Sequence, residues 1–404
     1  MTEWKEVTLK DITQLVIDYR GKTPLKLGGE WSDSGYRALS AKNVKTGVIV
    51  AEESIRYVDE VLYKKWMKDE VQRGDILITS EAPFGEVFYW NSDEKIVLSQ
   101  RLFDVRIKKG VCSQYVYYYM TSFPFQAELR SRASGTTVLG LKQPELLKCT
   151  IILPDYEMQV KIAEQLSEID FKIECNRKIC ANLEAQAQAL FKHWFIDFVP
   201  FKDGKFVESE LGMIPEGWRV GRLDNICCFS GSKIKISDLS LETYYSTENM
   251  LPNKGGVTTA ASLPTIETTT ACFEYDVLIS NIRPYFKKIF RAEKISGCSN
   301  DVMCFHPKDS KWNTLLYCIL YDDKFFSYVM SGSKGTKMPR GDKKQIMKYT
   351  IIVPTDDELR SFSQIVEPMF RLVQKAKQES SRLATLRDTL LPKLMSGELE
   401  INNI

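Results

Sequence analysis

The stretch from residue 162 to residue 194, IAEQLSEIDFKIECNRKICANLEAQAQALFKHW, lies near the middle of the 404-residue chain and predicts one long helix. Its apolar positions alternate at spacings of three and four, the pattern of a heptad seam. At 1.5 Å per residue the run would extend about 50 Å, longer than most globular helices. The seam residues are Leu166, Ile169, Ile173, Asn176, Cys180, Leu183, Ala187, Leu190 and Trp194.

A second stretch with the same spacing lies towards the C-terminal end of the sequence. Leu183 and Leu383 are separated by 200 residues, and so are Leu190 and Leu390. Two matched long helices, each following a large globular stretch, predict a pair that packs together rather than two helices packed each on its own domain. The seam residues of the second stretch are Val366, Met369, Val373, Ala376, Ser380, Leu383, Leu390 and Leu394.

These helices belong to a longer internal repeat. Residues 135–154, GTTVLGLKQPELLKCTIILP, align without a gap on residues 335–354, GTKMPRGDKKQIMKYTIIVP. Upstream, GDILITS at 74–80 resembles YDVLISN at 275–281, and an aromatic turn follows in both cases. The openings around Trp4 and Trp218 also match. A period this long indicates a domain duplication and not a solenoid.

Within each globular stretch the local signals are mainly those of β-strands, with one buried helix at corresponding positions. Gly and Pro residues punctuate the stretch after the first long helix, which predicts a linker. The chain is therefore expected to have an α+β fold with a pseudo-two-fold internal repeat. The expected strands are residues 47–50, 76–79, 86–90, 149–152 and 277–280, and the expected buried helices are residues 115–120 and 314–320. The expected segments are a first globular domain at 1–154, a central helix at 155–195, a linker at 196–216, a second globular domain at 217–354, and a C-terminal helix and tail at 355–404.

The bulk composition excludes some classes of protein. The chain is 44% hydrophobic and 27% charged with a net charge of +2, which argues against a free-standing, strongly basic nucleic-acid binder but allows local basic patches. No apolar run is long enough to span a bilayer and Met1–Lys5 does not resemble a signal peptide, so a cytoplasmic protein without a membrane partner is expected.

Cysteine and histidine usage is equally restrictive. The ten cysteines include no C-x-x-C pair, so neither a zinc site nor a disulfide framework is expected, and free thiols are the natural interpretation. The two histidines, His193 and His306, are far apart in sequence, which makes a histidine-based hydrolase a poor candidate.

The repeated G-T…T-I-I-[LV]-P segments, each followed by a long helix, resemble the specificity subunit of type I restriction-modification enzymes. The segments FKHWFIDFVPF at 191–201 and ESELGMIPEGW at 208–218, and the tail LRDTLLPKLMSGELEI at 386–401, are similar to signatures of that family. The resemblance covers essentially the whole chain. It implies that each globular unit is a target-recognition domain reading one half of a split double-stranded DNA sequence. It also implies that the two helices form an antiparallel coiled coil that sets the distance between the halves.

The resemblance implies partners as well. Two methyltransferase subunits would dock on the scaffold, and motor-nuclease (restriction) subunits would complete the complex. The chain itself would be non-catalytic and hold no cofactor. S-adenosylmethionine would bind the methyltransferase subunit, and ATP and Mg would bind the restriction subunit.

Loops with basic and hydroxyl side chains are the natural candidates for DNA contacts, because phosphate contacts position a protein and base-edge contacts specify the sequence. For any single side chain a solvated surface charge is an equally good interpretation, so the repeated G-T loop as a whole is a better candidate than its members. The candidates are Arg20, Lys22, Thr23, Arg130, Arg132, Thr136, Thr137 and Lys142 in the first unit, and Arg283, Lys334, Lys337 and Arg340 in the second.

Two other functions explain the sequence less well than that of a specificity subunit. A fused DNA methyltransferase would need a glycine-rich cofactor loop and an N-P-P-[FY]-type tetrapeptide. The nearest matches, Ala82-Pro83-Phe84-Gly85 and Arg283-Pro284-Tyr285-Phe286, lack the Asn or Asp that would contact the target amine. A purely structural coiled-coil adapter explains the helices but not the two divergent globular units.

Overall fold

The computed structural model describes residues 4–135, 138–335 and 337–399. These residues form two compact units. Unit 1 comprises the described residues up to Glu174 and those from Ser380 onward, and unit 2 comprises Cys175–Glu379. Both long helices are divided at these boundaries, so each unit contains one part of each helix.

Unit 1 is built from short strands, short helices and one end of each long helix. Its strands are β1 (Lys5–Thr8), β2 (Thr13–Asp18), β3 (Tyr36–Leu39), β4 (Val44–Lys45), β5 (Val48–Ile49), β6 (Arg56–Val58), β7 (Ile76–Thr79), β8 (Val87–Tyr89), β9 (Ile96–Leu98), β10 (Leu102–Ile107) and β11 (Thr150–Leu153). Its helices are α1 (Leu9–Ile12), α2 (Glu60–Trp66), α3 (Ser113–Thr121), α4 (Phe123–Ser131), α5 (Gln143–Leu146) and the first part of α6 (Tyr156–Phe195).

Two sheets organise the described part of unit 1. The framework sheet has the strand order β2-β10-β7-β8 and is antiparallel, while the second sheet has the order β6-β3-β9, in which β3 and β9 are parallel. Strand β7 is buried on both faces. Ile76 and Ile78 pack with α3 and α4, and Leu77 packs with residues of the second sheet, because successive side chains of a strand point to opposite faces.

Unit 2 repeats this plan. Its strands are β12 (Phe206–Ser209), β13 (Gly212–Pro215), β14 (Arg219–Arg222), β15 (Cys227–Phe229), β16 (Lys233–Lys235), β17 (Tyr244–Tyr245), β18 (Thr268–Cys272), β19 (Val277–Ser280), β20 (Ile289–Arg291), β21 (Ser296–Cys298), β22 (Val302–Pro307) and β23 (Thr350–Val353). Its helices are the second part of α6, α7 (Leu223–Ile226), α8 (Asn313–Tyr321), α9 (Asp323–Ser331), α10 (Lys343–Ile346) and the first part of α11 (Asp356–Met395).

The framework sheet of unit 2 has the order β15-β22-β19-β20, which corresponds strand for strand to that of unit 1. In both units the opening strand also pairs with the strand that precedes the long helix: Lys5 lies opposite Leu153 in the β1–β11 pair, and Arg219 lies opposite Val353 in the β14–β23 pair. The second sheet of unit 2, with the order β16-β18-β21-β17 among the described strands, is different. The predicted duplication is thus confirmed at the level of strand topology.

Each long helix begins at a side-chain cap. The Asp155 carboxylate accepts a hydrogen bond from the backbone N–H of Met158 (2.8 Å) before α6. Before α11, the backbone N–H and the hydroxyl of Thr355 both donate to the Glu358 carboxylate (3.1 and 2.5 Å), an interaction typical of capping boxes. These caps satisfy N–H groups that have no partner within the helix, and they fix where α6 and α11 begin.

In unit 2 the two helices pack against each other in opposite directions. Asn176 donates to the Glu379 carboxylate (2.7 Å), whereas Trp194, further along α6, lies with its ring 5.8 Å from that of Phe362, further back along α11. Asn176 is only 2% exposed, so its amide is buried in the seam. The predicted antiparallel pairing of the long helices is therefore confirmed.

The helices also enter the core of each unit. In unit 1, Leu166 of α6 and Leu394 of α11 are fully buried in the core cluster that contains α3. Asp170 of α6 accepts hydrogen bonds from the Tyr118 hydroxyl (2.9 Å) and from the Arg387 guanidinium (2.8 Å). One carboxylate therefore joins the globular part of the unit to both helices.

Unit 2 is anchored by different residues. Phe362 of α11 and Phe195 of α6 are buried in its core, and their rings lie 4.8 Å apart. The Glu367 carboxylate accepts hydrogen bonds from the Arg291 guanidinium (2.8 Å) and the Thr314 hydroxyl (2.9 Å). The helix ends are thus part of the folded domains and not separate appendages.

Candidate nucleic-acid interface

The repeated G-T loop forms the same tight hairpin in both units. Ser134 and Gly140 exchange two backbone hydrogen bonds (2.9 and 2.8 Å), and Lys334 and Arg340 do the same (2.9 and 3.0 Å). Gly135 has a φ of +111°, and a Cβ atom there would lie 2.2 Å from the carbonyl oxygen of Val138. Only glycine fits this position, which explains the Gly of the repeated motif.

The hairpin is attached to the framework sheet at the end of its central strand. In unit 1 the backbone N–H of Leu141 donates to the carbonyl of Ser80, the residue after the end of β7 (3.0 Å). In unit 2 the N–H of Gly341 donates to the carbonyl of Asn281 (3.4 Å), which follows β19 in the corresponding way. The sequence repeat therefore encodes one loop arrangement that is present twice.

Three candidate residues, Arg20, Lys22 and Thr23, lie in the loop after β2, and Arg20 contacts different neighbours from the other two. The guanidinium of Arg20 forms a bidentate pair with Asp18 (both 2.8 Å), donates to the carbonyl of Leu141 (3.1 Å) and lies 3.9 Å above the ring of Phe103. Arg20 is thereby joined to the residue after the G-T hairpin, next to Lys142.

Lys22 and Thr23 lie in a different local environment. The Lys22 ammonium donates to the carbonyl of Trp66 (2.5 Å) and lies 3.6 Å from the centre of the Tyr19 ring. Burial, together with the nearby Lys68, lowers the pKa of Lys22. The hydroxyl of Thr23 accepts a hydrogen bond from the backbone N–H of Lys26 (3.4 Å).

The remaining unit 1 candidates lie around the G-T loop itself. Arg130, in the last turn of α4, is exposed and lies 6.0 Å from the Phe84 ring of the aromatic turn, and Lys142 is exposed at the start of α5. The Arg132 guanidinium is paired with Glu128 (2.7 Å). Thr136 and Thr137 lie outside the described residues.

Arg132 is held by a structural carboxylate. The second oxygen of Glu128 accepts hydrogen bonds from the backbone N–H and the hydroxyl of Thr150, at the start of β11 (2.9 and 2.7 Å). Burial opposes the charge of Glu128, but the hydrogen bonds from Thr150 and Arg132 outweigh it and lower the pKa. This network holds the end of α4 against β11.

Unit 2 brings three of its four candidates together. The backbone N–H of Arg283 donates to the carbonyl of Pro339 (2.8 Å), directly beside Arg340. Lys334 pairs with Asp342 (3.1 Å) at the other side of the hairpin. Lys337 lies at the exposed tip. Arg283, Lys334 and Arg340 therefore belong to one patch of the surface.

A two-residue turn lies beside the G-T hairpin in each unit, and its residues are not among the candidates predicted from the sequence. The turn between the second sheet and the framework sheet is Gln100-Arg101 in unit 1 and Asn300-Asp301 in unit 2. Its second carbonyl accepts the N–H of Ser80 in unit 1 (2.9 Å) and the N–H of Asn281 in unit 2 (2.8 Å). The offset of 200 residues between the two turns is the same as that of the G-T loops, so a longer alignment of the repeat would have found it.

The remaining features of the described structure concern metal ligands, thiols, histidine and the polarity of the helices. Among the described residues no group of three or more His, Cys, Asp and Glu side chains could hold a metal ion. The ten cysteines are free thiols. His306 is hydrogen-bonded through Nδ1 to the buried Asp276 carboxylate (2.6 Å), whose pKa is raised by burial. Within the described part of the chain, every helix is too short or too polar to cross a bilayer.

The two units share a fold and loop frameworks that carry different polar side chains. Comparison with known proteins shows what the chain is similar to. Residues 1–185 match the model of the type I restriction modification DNA specificity domain. The MjaIX specificity subunit of Methanocaldococcus jannaschii, a type I restriction enzyme subunit, is 27% identical, and the alignment covers 100% of this chain and 95% of that protein.

Two further relatives agree. The type I restriction enzyme HindI specificity subunit of Haemophilus influenzae is 23% identical, with 99% of this chain and 100% of the relative covered. The crystal structure of the type I restriction-modification S subunit from M. genitalium has the same fold, with a TM-score of 0.62 at 18% identity over 97% of this chain and 96% of that one. The chain is thus similar over its whole length to specificity subunits of type I restriction-modification enzymes.

These similarities confirm several of the predictions made from the sequence. The family is non-catalytic, and its role is to provide DNA sequence specificity, which favours the specificity subunit over a fused methyltransferase. Specificity subunits bind DNA and work in complexes with methyltransferase and restriction subunits.

Proposed function

We propose that each unit reads one half of a bipartite double-stranded DNA sequence, and that α6 and α11 set the number of base pairs between the halves. The observation that carries the proposal is the pairing of a common loop framework with different side chains. The G-T hairpins close on the same backbone bonds, yet Gly140 in unit 1 corresponds to Arg340 in unit 2. A common framework would present different side chains to DNA, as two different half-sites require.

We further propose that two methyltransferase subunits bind, one for each repeat, in the cytoplasm. Exposed large apolar side chains on the long helices are available for a partner to cover. In unit 1 these are Phe171 (71% exposed) and Leu386, and in unit 2 they are Ile365 and Leu372. S-adenosylmethionine would bind the methyltransferase subunits, ATP and Mg would bind the restriction subunits, and this chain would hold no cofactor.

The test is coexpression of the full chain with its cognate methyltransferase subunit. The mass of the purified complex should correspond to two methyltransferase copies, and sequencing of methylated bases in the host genome should give one bipartite sequence with a fixed gap. A stable one-to-one complex at saturating methyltransferase would contradict the stoichiometry. Methylation at a continuous, undivided sequence would contradict the division of labour between the units.

The spacer role has its own test. Four residues inserted after Asn176 and four inserted after Gln378 would lengthen both helices by about 6 Å while roughly preserving the facing of the seam. Because base pairs rise about 3.4 Å, the gap should grow by one or two base pairs, with both half-sites unchanged. Two-residue insertions at the same points are the control, since they rotate the seam away from its partner and should damage folding. An active four-residue variant with an unchanged gap would refute the spacer role.

A further inference from the structure

The turn that joins the second sheet to the framework sheet is hydrogen-bonded through its backbone to the framework sheet in both units. In unit 1 it follows β9, and the flanking residues Leu98, Ser99 and Leu102 are buried, while Gln100 and Arg101 are exposed. Two side chains are thus presented to solvent from a backbone that is fixed on both sides. A site that must hold side chains in register with a ligand needs a rigid backbone of this kind.

Two backbone hydrogen bonds hold the turn of unit 1 in place. The carbonyl of Gln100 accepts the N–H of Ala41 (3.1 Å), and the carbonyl of Arg101 accepts the N–H of Ser80 (2.9 Å). Arg101 has a φ of +63°, a left-handed conformation that is unfavourable for a residue with a long side chain. Such strain is found most often where a side chain has to be presented in one direction for function.

The side chains of the turn border two open clefts. Arg101 and Gln100, with Arg20 and Glu81, line one of about 500 Å³. Gln100 also lines a second cleft, of about 620 Å³, together with Trp31. The turn therefore stands at the border of two clefts and carries exposed hydrogen-bonding side chains.

The Arg101 side chain has one exposed ion-pair partner, Glu81. Its Nε lies 3.3 Å from a carboxylate oxygen of Glu81, and the two side chains are 50% and 37% exposed. Exposed ion pairs of this kind contribute little to stability, so the guanidinium can exchange Glu81 for a base edge at small cost.

Unit 2 has a turn at the corresponding place, with different chemistry and without the left-handed residue of unit 1. Asn300-Asp301 follows β21 as Gln100-Arg101 follows β9, and the residue before the turn is serine in both cases. The charges are inverted: Asp301 pairs with Arg340 of the G-T hairpin (3.1 Å). The backbone bond from the second residue of the turn to the framework sheet is kept while the side chains change, as is expected of a specificity determinant.

We propose that this turn is a base-reading element, with Gln100 and Arg101 contacting base edges in the half-site of unit 1 and Asn300 and Asp301 in that of unit 2. The chemistry fits the major groove, where Gln or Asn forms a bidentate contact with adenine, Arg with guanine, and Asp accepts from cytosine. The inference rests on the proposed function.

The experiment uses the full chain in complex with its cognate methyltransferase subunits. The DNA probes are the bipartite duplex mapped for the wild type and its single-base variants at every half-site position. The variant is Arg101→Lys, because lysine keeps the positive charge but loses the bidentate fork. The matched control is Arg73→Lys, since Arg73 is also an exposed arginine of unit 1 in a carboxylate pair, with Asp93 at 2.7 Å.

Arg101→Lys should lose about ten- to hundredfold of discrimination at one base pair of the unit 1 half-site and leave the other half-site unchanged. The reciprocal variant Asp301→Asn should relax only the half-site of unit 2, and Arg73→Lys should change neither. Unchanged discrimination in Arg101→Lys, or uniformly weaker binding to every duplex, would overturn the inference, and the latter would make Arg101 a phosphate contact.

The proposed function and the inference fail in different ways. A wild-type complex that methylates no bipartite sequence contradicts the proposed function, and the inference falls with it. Bipartite methylation by the wild type combined with unaltered discrimination in Arg101→Lys contradicts the inference alone. If Arg101→Lys does not assemble, Gln100→Ala answers the same question, because the exposed Gln100 makes no side-chain hydrogen bond within the described structure.

Discussion

The framework sheets of the two units are alike, whereas the second sheets differ in where they are extended. Both second sheets contain a parallel pair, β3 with β9 in unit 1 and β17 with β21 in unit 2. Unit 1 adds β6 beside β3, on one edge of this pair. Unit 2 adds β18 and β16 beside β21, on the opposite edge. The difference shows that the duplicated fold keeps its scaffold and varies one sheet edge.

A small motif is shared by both units. After the first strand of each parallel pair, an asparagine side chain accepts the backbone N–H of a serine three residues earlier: Asn43 with Ser40 (3.2 Å) and Asn249 with Ser246 (2.7 Å). A short hairpin follows in both units, with Val44 opposite Ile49 and Met250 opposite Val257. The two units therefore share this turn and hairpin as well as the framework sheet.

The largest expected effect concerns the tryptophans that open the two repeats. Trp218 is 5% exposed, and its ring lies 4.9 Å from that of Phe201 and 5.5 Å from that of Phe195. Trp4 is only partly buried, against Gly397. Trp218→Ala should lower the free energy of unfolding by about 3–5 kcal/mol, and Trp4→Ala by about 1–2 kcal/mol. Urea unfolding measures both, and equal losses would contradict the different packing of the two ends.

A smaller difference is expected between the helix anchors. Glu367→Ala leaves the guanidinium of Arg291, which is 12% exposed, without its carboxylate and should cost about 3 kcal/mol. Asp170→Ala removes a carboxylate that is 28% exposed and should cost about 1 kcal/mol. Hydrogen exchange of each unit would locate the losses. Greater loosening of unit 1 by Asp170→Ala than of unit 2 by Glu367→Ala would reverse this assignment.

The smallest expected effect is on how the stability of the protein depends on pH. Asp104 of β10 is fully buried, and neither carboxylate oxygen has a hydrogen-bond partner within the described structure. Burial, and then the neighbouring Asp75, raise the pKa of Asp104. The folded state therefore keeps a proton that the unfolded chain loses, so stability falls as pH rises above about 4, the unfolded value, towards the folded pKa. The corresponding residue in unit 2 is Cys304.

Asp104→Asn should abolish this slope: it should match the wild type near pH 4 and be more stable at pH 8. Thermal unfolding across that range checks the prediction, with the exposed Asp33→Asn as the control. An unaltered slope in Asp104→Asn would mean that the carboxyl of Asp104 ionises normally inside the sheet.

The regular parts of this molecule could be predicted from the sequence. The helices α6 and α11 carry a long periodic signal, and the framework strands are short apolar runs such as residues 76–79 and 277–280. The second sheet of unit 2 gave no such signal. Its strands Lys233–Lys235 and Thr268–Cys272 are polar, and their pairing depends on contacts far apart in sequence.

The candidate interface was predictable only as a loop. The G-T repeat led to the hairpin and to the patch around Arg283, Lys334 and Arg340. It could not reveal that Arg132 is paired with Glu128, because that depends on the position of α4 against β11. Nor did it identify Arg101, because the turn lies outside the aligned segments 135–154 and 335–354 and its own sequence is not repeated.

If each unit reads its own half-site, exchanging one globular domain should change one half-site only. Residues 1–154 are replaced by the corresponding domain of another specificity subunit, while both long helices of this chain are kept. The chimera is coexpressed with the methyltransferase subunits, and the methylated sites are sequenced. One half-site should change to that of the donor, with the other half-site and the gap preserved. If both half-sites change together, or neither does, the two units do not read DNA independently.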